Sequence, residues 1–391
     1  MLFSSYVAAL AAVSFAQAGS LSVSNKQHTN NAATSLAGNL MSHYSTTNGV
    51  LPGPYFWWES GGMWASIMQY WKNTGDAQYN SKVSAALAAQ AGSGNNFMGP
   101  NTLGNDDQLW WAITSIQAAE SGFPAGSGPS YLQLAETVFD DVAARWDTSM
   151  CSGGLGWQIS SSAPGYHYKN AISNGLFFQL AARLASQTGD RKYSDWATKI
   201  FKWTQSVGII EKGSYKVYDG TDATKGCVDL DHDQWSYNVG AFLYGVAVML
   251  DHTGDSATWQ PHLDGFVGAA QAGFFENGIM QEQMCEPAGN CNVDQLSFKA
   301  YLARWLAQTM VLVPSTENSI KPLLQSSAEG ALGSCNGGPD GNTCGTRWTS
   351  NNYDGTQGAG QQIAALEIVQ GLLANVKTLP AKRHVAYNFK A

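Results

Sequence analysis

Apolar residues recur at intervals of three and four along most of the chain, which predicts amphipathic helices. Alternation with a period of two, the mark of half-buried strands, is scarce. The predicted helices span residues 81–91, 109–120, 131–146, 174–187, 193–206, 237–250, 296–313 and 361–376. The pattern therefore predicts an all-α fold.

The sequence Thr-Gly-Asp occurs three times between helical stretches, at residues 74–76, 188–190 and 253–255. Glycine supplies the left-handed conformation that ends a helix, and aspartate can cap the next one. The unequal spacing excludes a short-repeat solenoid. We therefore expect a closed ring of helical hairpins with long inserted loops.

Gly-, Ser- and Asn-rich stretches separate the predicted helices and are too scattered to be domain linkers. They cover residues 91–105, 122–130, 151–165, 213–226 and 334–360. In an enzyme such loops would form the rim of a cleft, although each taken singly can be a plain surface connection. Residues 19–30 are polar, and we expect them to be loose. One domain over residues 19–391 is predicted.

The composition favours uncharged ligands. Of 391 residues, 13% are charged, against about 25% in an average protein, and 12% are aromatic, including 14 Trp. The net charge is −8, and there is no basic cluster to follow a phosphate backbone. This balance argues against nucleic-acid binding and favours hydrogen-bonding ligands such as sugars.

The first eighteen residues have the pattern of a secretory signal peptide. An apolar run at residues 6–12 leads to the small-x-small sequence Ala16-Gln17-Ala18. No other apolar run is long enough to span a bilayer. The last twelve residues form no hydrophobic tail, so a GPI-anchor signal is not expected. We therefore expect a secreted protein, with association with a cell wall left open.

An even number of cysteines after a signal peptide predicts three disulfides. The six are Cys151, Cys227, Cys285, Cys291, Cys335 and Cys344. Fifteen pairings are possible in principle. Short separations favour Cys285–Cys291 and Cys335–Cys344, which leaves Cys151 with Cys227. A zinc site is disfavoured because no C-x-x-C spacing occurs, and no metal or cofactor is predicted.

The most informative stretch, residues 104–112, reads Gly-Asn-Asp-Asp-Gln-Leu-Trp-Trp-Ala. Asp106 and Asp107 lie at the predicted start of a helix, where acidic residues are also ordinary caps. Two carboxylates beside indole rings suit the cleavage of a glycosidic bond, with carboxylates as acid and base and rings stacking on sugars. Trp110 and Trp111 cannot share one helix face, so at most one should line a cleft.

Several motifs in this order resemble glycoside hydrolase family 76, the endo-α-1,6-mannanases and their fungal cell-wall relatives. They are Trp57-Trp58-Glu59-Ser60-Gly61, Asn105-Asp106-Asp107-Gln108 with Trp110-Trp111, Cys151-Ser152-Gly153-Gly154-Leu155-Gly156-Trp157, Tyr168-Lys169-Asn170-Ala171-Ile172-Ser173-Asn174-Gly175, Trp235-Ser236-Tyr237-Asn238-Val239-Gly240 and Phe298-Lys299. The resemblance implies an (α/α)6 barrel and a retaining mechanism, with Asp106 as nucleophile and Asp107 as general acid/base.

Other candidate residues lie in the same motifs. The predicted substrate-binding residues are Trp58, Asn105, Trp110, Lys169, Asn170, Asn174, Tyr237 and Asn238. Buried packing is the alternative for the tryptophans, and helix capping is the alternative for the polar residues. The acidic cluster at residues 229–233 could contact substrate, bind calcium or cap a helix, but its spacing does not match an EF-hand.

Three functions fit these observations. The first is a secreted endo-α-1,6-mannosidase that cleaves α-mannan through a covalent mannosyl-enzyme. The second is a transglycosylase that uses the same carboxylates to pass the mannose-containing GPI core of a mannoprotein to a β-glucan acceptor. The third is a non-catalytic carbohydrate-binding protein, which the presence of both aspartates disfavours. The missing GPI tail favours the first, and we expect a monomer.

Overall fold

The computed structural model describes residues 21–126, 128–338 and 341–375. The predicted signal peptide and the C-terminal residues examined for a GPI signal lie outside these ranges. The described residues form α1 Lys26–Ser42, α2 Trp57–Thr74, α3 Asn80–Gln90, α4 Asn105–Ser121, α5 Tyr131–Ala144, α6 Ala171–Thr188, α7 Arg191–Ser206, α8 Ser236–Thr253, α9 Ser256–Phe274, α10 Gln295–Leu312, α11 Glu317–Gly333 and α12 Ala359–Gly371.

The even-numbered helices form an inner ring in which each packs on the next, and α12 closes the ring against α2. The odd-numbered helices lie outside them. Inner helices are buried on all sides, as in α6, where every residue from Ala171 to Ala185 is buried. Outer helices such as α7 bury one face only. This arrangement is an (α/α)6 barrel, so the predicted fold class is confirmed.

The Thr-Gly-Asp sequences end inner helices, as predicted. Gly75, Gly189 and Gly254 are the left-handed C-caps of α2, α6 and α8, with φ between 65° and 81°. Asp190 and Asp255 then cap α7 and α9 through their side chains. At the first occurrence the outer helix begins only at Asn80, so the aspartate there does not cap it.

Four helices, α1, α2, α9 and α11, are absent from the set that the hydrophobic pattern predicted. The expectation that residues 19–30 are loose was wrong from Lys26 onwards, because Asn25 caps α1 and this helix buries an apolar face. Helix α2 contains Gly61 and Gly62, and glycine lowers helix propensity. Outer helices α9 and α11 contain Pro261 and Pro322 in their second turns, and proline there weakens a sequence-based helix prediction.

Short strands link the ends of the inner helices. Tyr168–Asn170 (β1) pairs antiparallel with Gly220–Asp222 (β2), which pairs with Leu230–Asp231 (β3). Phe275–Glu276 (β4) pairs with Ile279–Met280 (β5). Since β1 runs directly into α6, the pairing brings the loop that carries β2 to the N-terminal end of that inner helix.

Three disulfides join Cys151 to Cys227, Cys285 to Cys291 and Cys335 to Cys344, which confirms the favoured pairing. The first links the loop before β1 to the loop after β2. Among the described helices, none combines the length and the apolar character needed to cross a membrane.

Candidate active site

The N-terminal ends of the inner helices meet at one mouth of the barrel. Helix α4 begins there with Gly104 as its N-cap, so Asp106 and Asp107 fall in its first turn. Asn170 is the N-cap of α6, and Tyr237 lies in the first turn of α8. The carboxylates and the candidate sugar-binding side chains come from separate motifs, and they converge because these motifs begin inner helices.

Asp106 lies deep in this mouth and is only 8% exposed. Its Oδ2 accepts a hydrogen bond from Nδ2 of Asn170 at 3.1 Å, and its Oδ1 accepts one from the amide of Asp107 at 3.0 Å. Burial raises the pKa of Asp106 well above its usual value, and the neighbouring charge of Asp107 raises it further. The two carboxyl groups therefore resist simultaneous ionisation.

Asp107 is more exposed and faces the loop that precedes α4. Its Oδ2 accepts hydrogen bonds from the amides of Gly104 at 2.7 Å and Leu103 at 3.2 Å. Burial raises the pKa of Asp107 to about 6, although these two amides oppose the shift. Asp107 is thus also a helix cap. Capping occupies Oδ2, and no described residue hydrogen-bonds to Oδ1.

Aromatic side chains form a layer below the carboxylates, which we call the aromatic floor: Trp58, Trp110, Tyr237, Phe298 and Tyr301. Trp110 lies one helical turn after Asp106 and stacks on Trp58 with ring centroids 5.0 Å apart. Tyr237 stacks on Phe298 at 3.9 Å. Trp58 and Trp110 are buried, whereas Tyr237 is partly exposed. The floor therefore shapes the cleft, and Tyr237 is its most accessible ring. Trp111 points away and stacks on Trp57.

A third carboxylate, Asp219, borders the same mouth and was not found from the sequence. Its Oδ2 accepts a hydrogen bond from the Tyr168 hydroxyl at 2.8 Å, and its Oδ1 accepts one from Nδ2 of Asn238 at 3.3 Å. Burial raises the pKa of Asp219. Its position depends on the pairing of β1 with β2, which no motif around it reveals.

Two amide oxygens at the mouth, Oδ1 of Asn170 and Oδ1 of Asn238, are buried and accept no hydrogen bond from the described residues. Buried polar atoms are nearly always paired, so these oxygens are suited to accept from the hydroxyls of a bound sugar. The structure thus brings Trp58, Trp110, Asn170, Tyr237 and Asn238 of the predicted set together with Asp106 and Asp107.

The other three predicted residues, Asn105, Lys169 and Asn174, instead hold the loop 150–156. Asn105 donates to the carbonyl of Gly156 at 2.9 Å, and Asn174 exchanges hydrogen bonds with the backbone of Leu155. These three side chains therefore act as scaffold for α4 and α6, and we do not include them in the candidate site.

The Lys169 ammonium shows this scaffold role most clearly. It donates to the carbonyl oxygens of Met150 and Gly153, lies 3.1 Å from Asp147, and is 2% exposed. Gly153 and Gly154 adopt positive φ, and a Cβ on Gly154 would lie 2.3 Å from Trp203. Only glycine therefore allows this loop to pack so closely behind the site.

A buried polar network fixes the start of α8. The carboxylate of Glu282 accepts hydrogen bonds from the amide and the hydroxyl of Ser236, the residue before Tyr237. Glu286 accepts from the amide of Glu282 and forms a 2.8 Å ion pair with Lys299. Burial raises the pKa of Glu282 to about 8. This network positions Tyr237 without contacting Asp106 or Asp107.

The acidic cluster at residues 229–233 is dispersed. Asp229 forms an exposed 2.5 Å ion pair with Lys225, whereas Asp231 accepts a 3.4 Å hydrogen bond from Tyr168. Within residues 21–126, 128–338 and 341–375, no group of three or more His, Cys, Asp or Glu side chains could hold a metal ion.

Comparison with known families and proteins identifies relatives over almost the whole chain. The sequence model of glycosyl hydrolase family 76 matches residues 28–384 of this chain. The mannan endo-1,6-alpha-mannosidase DCW1 of Saccharomyces cerevisiae is 42% identical over 382 residues, which cover 95% of this chain and 85% of that protein. A putative mannan endo-1,6-alpha-mannosidase of Schizosaccharomyces pombe is 40% identical, covering 92% of this chain and 84% of that one.

Solved structures of similar proteins share the fold of this chain. Dfg5 from Chaetomium thermophilum, in complex with glucosamine, superposes with a TM-score of 0.87 at 37% identity, covering 90% of this chain and 92% of that one. The alpha-1,6-mannanase of Salegentibacter sp. HEL1_6 superposes with a TM-score of 0.72 at 20% identity, covering 88% and 98%. The second likeness is one of fold.

Proposed function

Because the chain belongs to glycosyl hydrolase family 76, we propose that it is an endo-α-1,6-mannosidase that acts on α-1,6-mannan with retention of configuration. The observation that carries the proposal is the pair Asp106–Asp107 in the barrel mouth. One carboxylate lies deep beside Asn170 and the aromatic floor, and the other lies at the edge with a free oxygen.

In the first step, Asp106 attacks the anomeric carbon and Asp107 gives its proton to the departing glycosidic oxygen. A covalent mannosyl-enzyme forms as the C–O bond to the leaving sugar breaks. In the second step, Asp107 takes a proton from water, and the resulting nucleophile displaces Asp106. Two inversions at the same carbon leave the configuration retained.

The environment of the pair supports a shared proton. In the free enzyme burial favours the proton on Asp106, while two amide donors favour the ionised form of Asp107. Catalysis requires the proton on Asp107. Positive charge developing on the sugar ring next to Asp106 favours ionisation of Asp106, so the proton is available at Asp107 when the leaving oxygen needs it.

The donor sugar lies between the aromatic floor and Asp219. Tyr237 offers a partly exposed ring, and Asn170, Asn238 and Asp219 offer oxygens and amide hydrogens to ring hydroxyls. A hydrogen bond from a sugar hydroxyl to a carboxylate is stronger than one to a neutral acceptor, because the carboxylate is charged. This set defines the subsite on the nucleophile side of the scissile bond.

A second function uses the same residues with a different acceptor. A glucan hydroxyl could replace water in the second step, which would transfer the mannosyl group rather than hydrolyse it. One observation favours this function: the Dfg5 structure from Chaetomium thermophilum, a 37% identical relative, contains glucosamine. A substrate that includes an amino sugar, as a GPI core does, would fit that binding.

The deciding experiment incubates the enzyme with linear α-1,6-mannan, with and without a β-1,3-glucan oligosaccharide. Shorter manno-oligosaccharides alone would support hydrolysis, and a mannose–glucan hybrid would support transfer. Asp106→Asn should give neither product. Asp195→Asn, an exposed carboxylate in an ion pair with Arg191 on α7, serves as the matched control and should react as the wild type does.

We further propose that the enzyme works outside the cell, in contact with a cell wall. The three disulfides support this location, because such bonds persist in oxidising compartments. Mass spectrometry of protein secreted by its native host tests the proposal. We expect three intact disulfides and an N-terminus at residue 19, whereas reduced, uncleaved intracellular protein would contradict it.

A further inference from the structure

A short extended segment around Gln158 runs antiparallel to the residues that precede the catalytic helix. The amide of Asn105 donates to the carbonyl of Trp157 at 2.8 Å, and the amide of Ile159 donates to the carbonyl of Leu103 at 3.0 Å. Gly104 and Gln158 lie directly opposite each other between these two bonds. The segment is therefore fixed to the same backbone that binds Asp107.

The opposed residues face the two carboxylates. A Cβ on Gly104 would lie 2.2 Å from Oδ1 of Asp106 and 3.3 Å from Oδ2 of Asp107. Directly opposed residues of an antiparallel pair send their side chains to the same face, with Cα atoms about 4.5 Å apart at a non-hydrogen-bonded pair. The side chain of Gln158 therefore extends on the side of the catalytic pair.

The side-chain amide of Gln158 makes no hydrogen bond to the described residues near the catalytic pair. It is partly exposed, and among the described ranges no residue hydrogen-bonds to it. The Cγ of Gln158 lies close to Gly165, since a Cβ built on Gly165 would be 3.5 Å from it. A glutamine amide presents two N–H donors and a carbonyl acceptor, which suits neighbouring hydroxyls of a sugar ring.

We propose that Gln158 binds the sugar on the leaving-group side of the scissile bond, the same position that an acceptor sugar would occupy in transfer. This inference rests on the proposed function. The acid must lie beside the oxygen it protonates, so Asp107 borders the leaving sugar. Gln158 is anchored across from the loop that holds Asp107, whereas Asp106 and the aromatic floor hold the donor sugar.

Two substrates separate the sides of the scissile bond. α-1,6-Mannotetraose places sugars on both sides, whereas α-1,6-mannobiosyl fluoride has only fluoride as its leaving group. Gln158→Ala should lower kcat/KM for mannotetraose roughly 3- to 10-fold, the effect of one or two hydrogen bonds to a neutral amide. Fluoride release from the mannobiosyl donor should stay at the wild-type rate.

Gln187→Ala is the matched control, since Gln187 is exposed near the C-terminal end of α6, away from the mouth. It should leave both substrates unchanged. An unchanged kcat/KM for mannotetraose in Gln158→Ala, or an equal loss with both substrates, would overturn the subsite alone. A wild-type enzyme inert toward both substrates would contradict the proposed function, and the subsite with it.

Discussion

The carboxylate of Asp107 accepts a 2.7 Å hydrogen bond from the backbone amide of Gly104. The residue assigned as general acid/base therefore also caps its helix, by accepting from the amide of the N-cap residue. Oδ2 of Asp107 caps the helix and Oδ1 is left for catalysis, so the capping and catalytic interpretations of the Asn-Asp-Asp sequence are compatible.

Substitutions at Asp107 should separate the two roles. Asp107→Asn keeps an oxygen for the amides of Gly104 and Leu103, so thermal stability should change little, while turnover of mannan falls roughly 10²- to 10⁴-fold without the acid. Asp107→Ala should lose the same activity and also about 1 kcal/mol of stability with the cap. Equal melting temperatures for the two variants would contradict the capping role.

The pH dependence of kcat/KM should reveal the shared proton. For mannan we expect the rate to fall on the alkaline side at about pH 6 or above, where the pair loses its last proton. The apparent pKa belongs to the pair rather than to one residue. Glycosylation by a mannosyl fluoride needs no acid, so it should not decline there. A parallel decline for both substrates would exclude Asp107 as the acid.

Lys169 should contribute to stability rather than to substrate binding. Lys169→Met removes the donor from the carbonyls of Met150 and Gly153 and from Asp147, which should cost about 2–4 kcal/mol. The KM for mannan, measured well below the melting temperature, should change little. Lys192→Met, which breaks an exposed ion pair, should cost at most about 1 kcal/mol. A raised KM with unchanged stability would assign Lys169 to the substrate instead.

Periodicity and helix-end residues predicted an all-α ring of helical hairpins, because most helices carry a local signal, and the resemblance to family 76 supplied the (α/α)6 barrel. The position of Asp106 and Asp107 at the start of one helix was predictable from the sequence, and their catalytic roles stay a prediction from the resemblance. Asp219 and Gln158 were missed because pairing between distant segments places them, β1 with β2 and Gly104 with Gln158. Lys169 and Asn174 were assigned to substrate from their motif, but their side chains hold a neighbouring loop, while Asn170 of the same motif contacts Asp106.

Stability should increase as the pH falls from about 8 to about 5. Burial raises the pKa of Glu282 from 4.5 to about 8, so between these values the folded protein keeps a proton that the unfolded chain releases. The melting temperature should therefore be higher at pH 5 than at pH 8. Glu282→Gln should reduce this difference, and Glu329→Gln, on the exposed face of α11, should preserve it. An identical difference in both variants would exclude Glu282 as a contributor.

The central claim is that Asp106 forms a covalent bond to the sugar, and trapping that bond tests it most directly. A mannosyl fluoride with a second, ring fluorine slows breakdown of the intermediate, and peptide mass spectrometry then locates the label. The account predicts one mannosyl group on Asp106 and none in Asp106→Asn. A label on any other residue, or release of β-mannose product from an unlabelled enzyme, would contradict it.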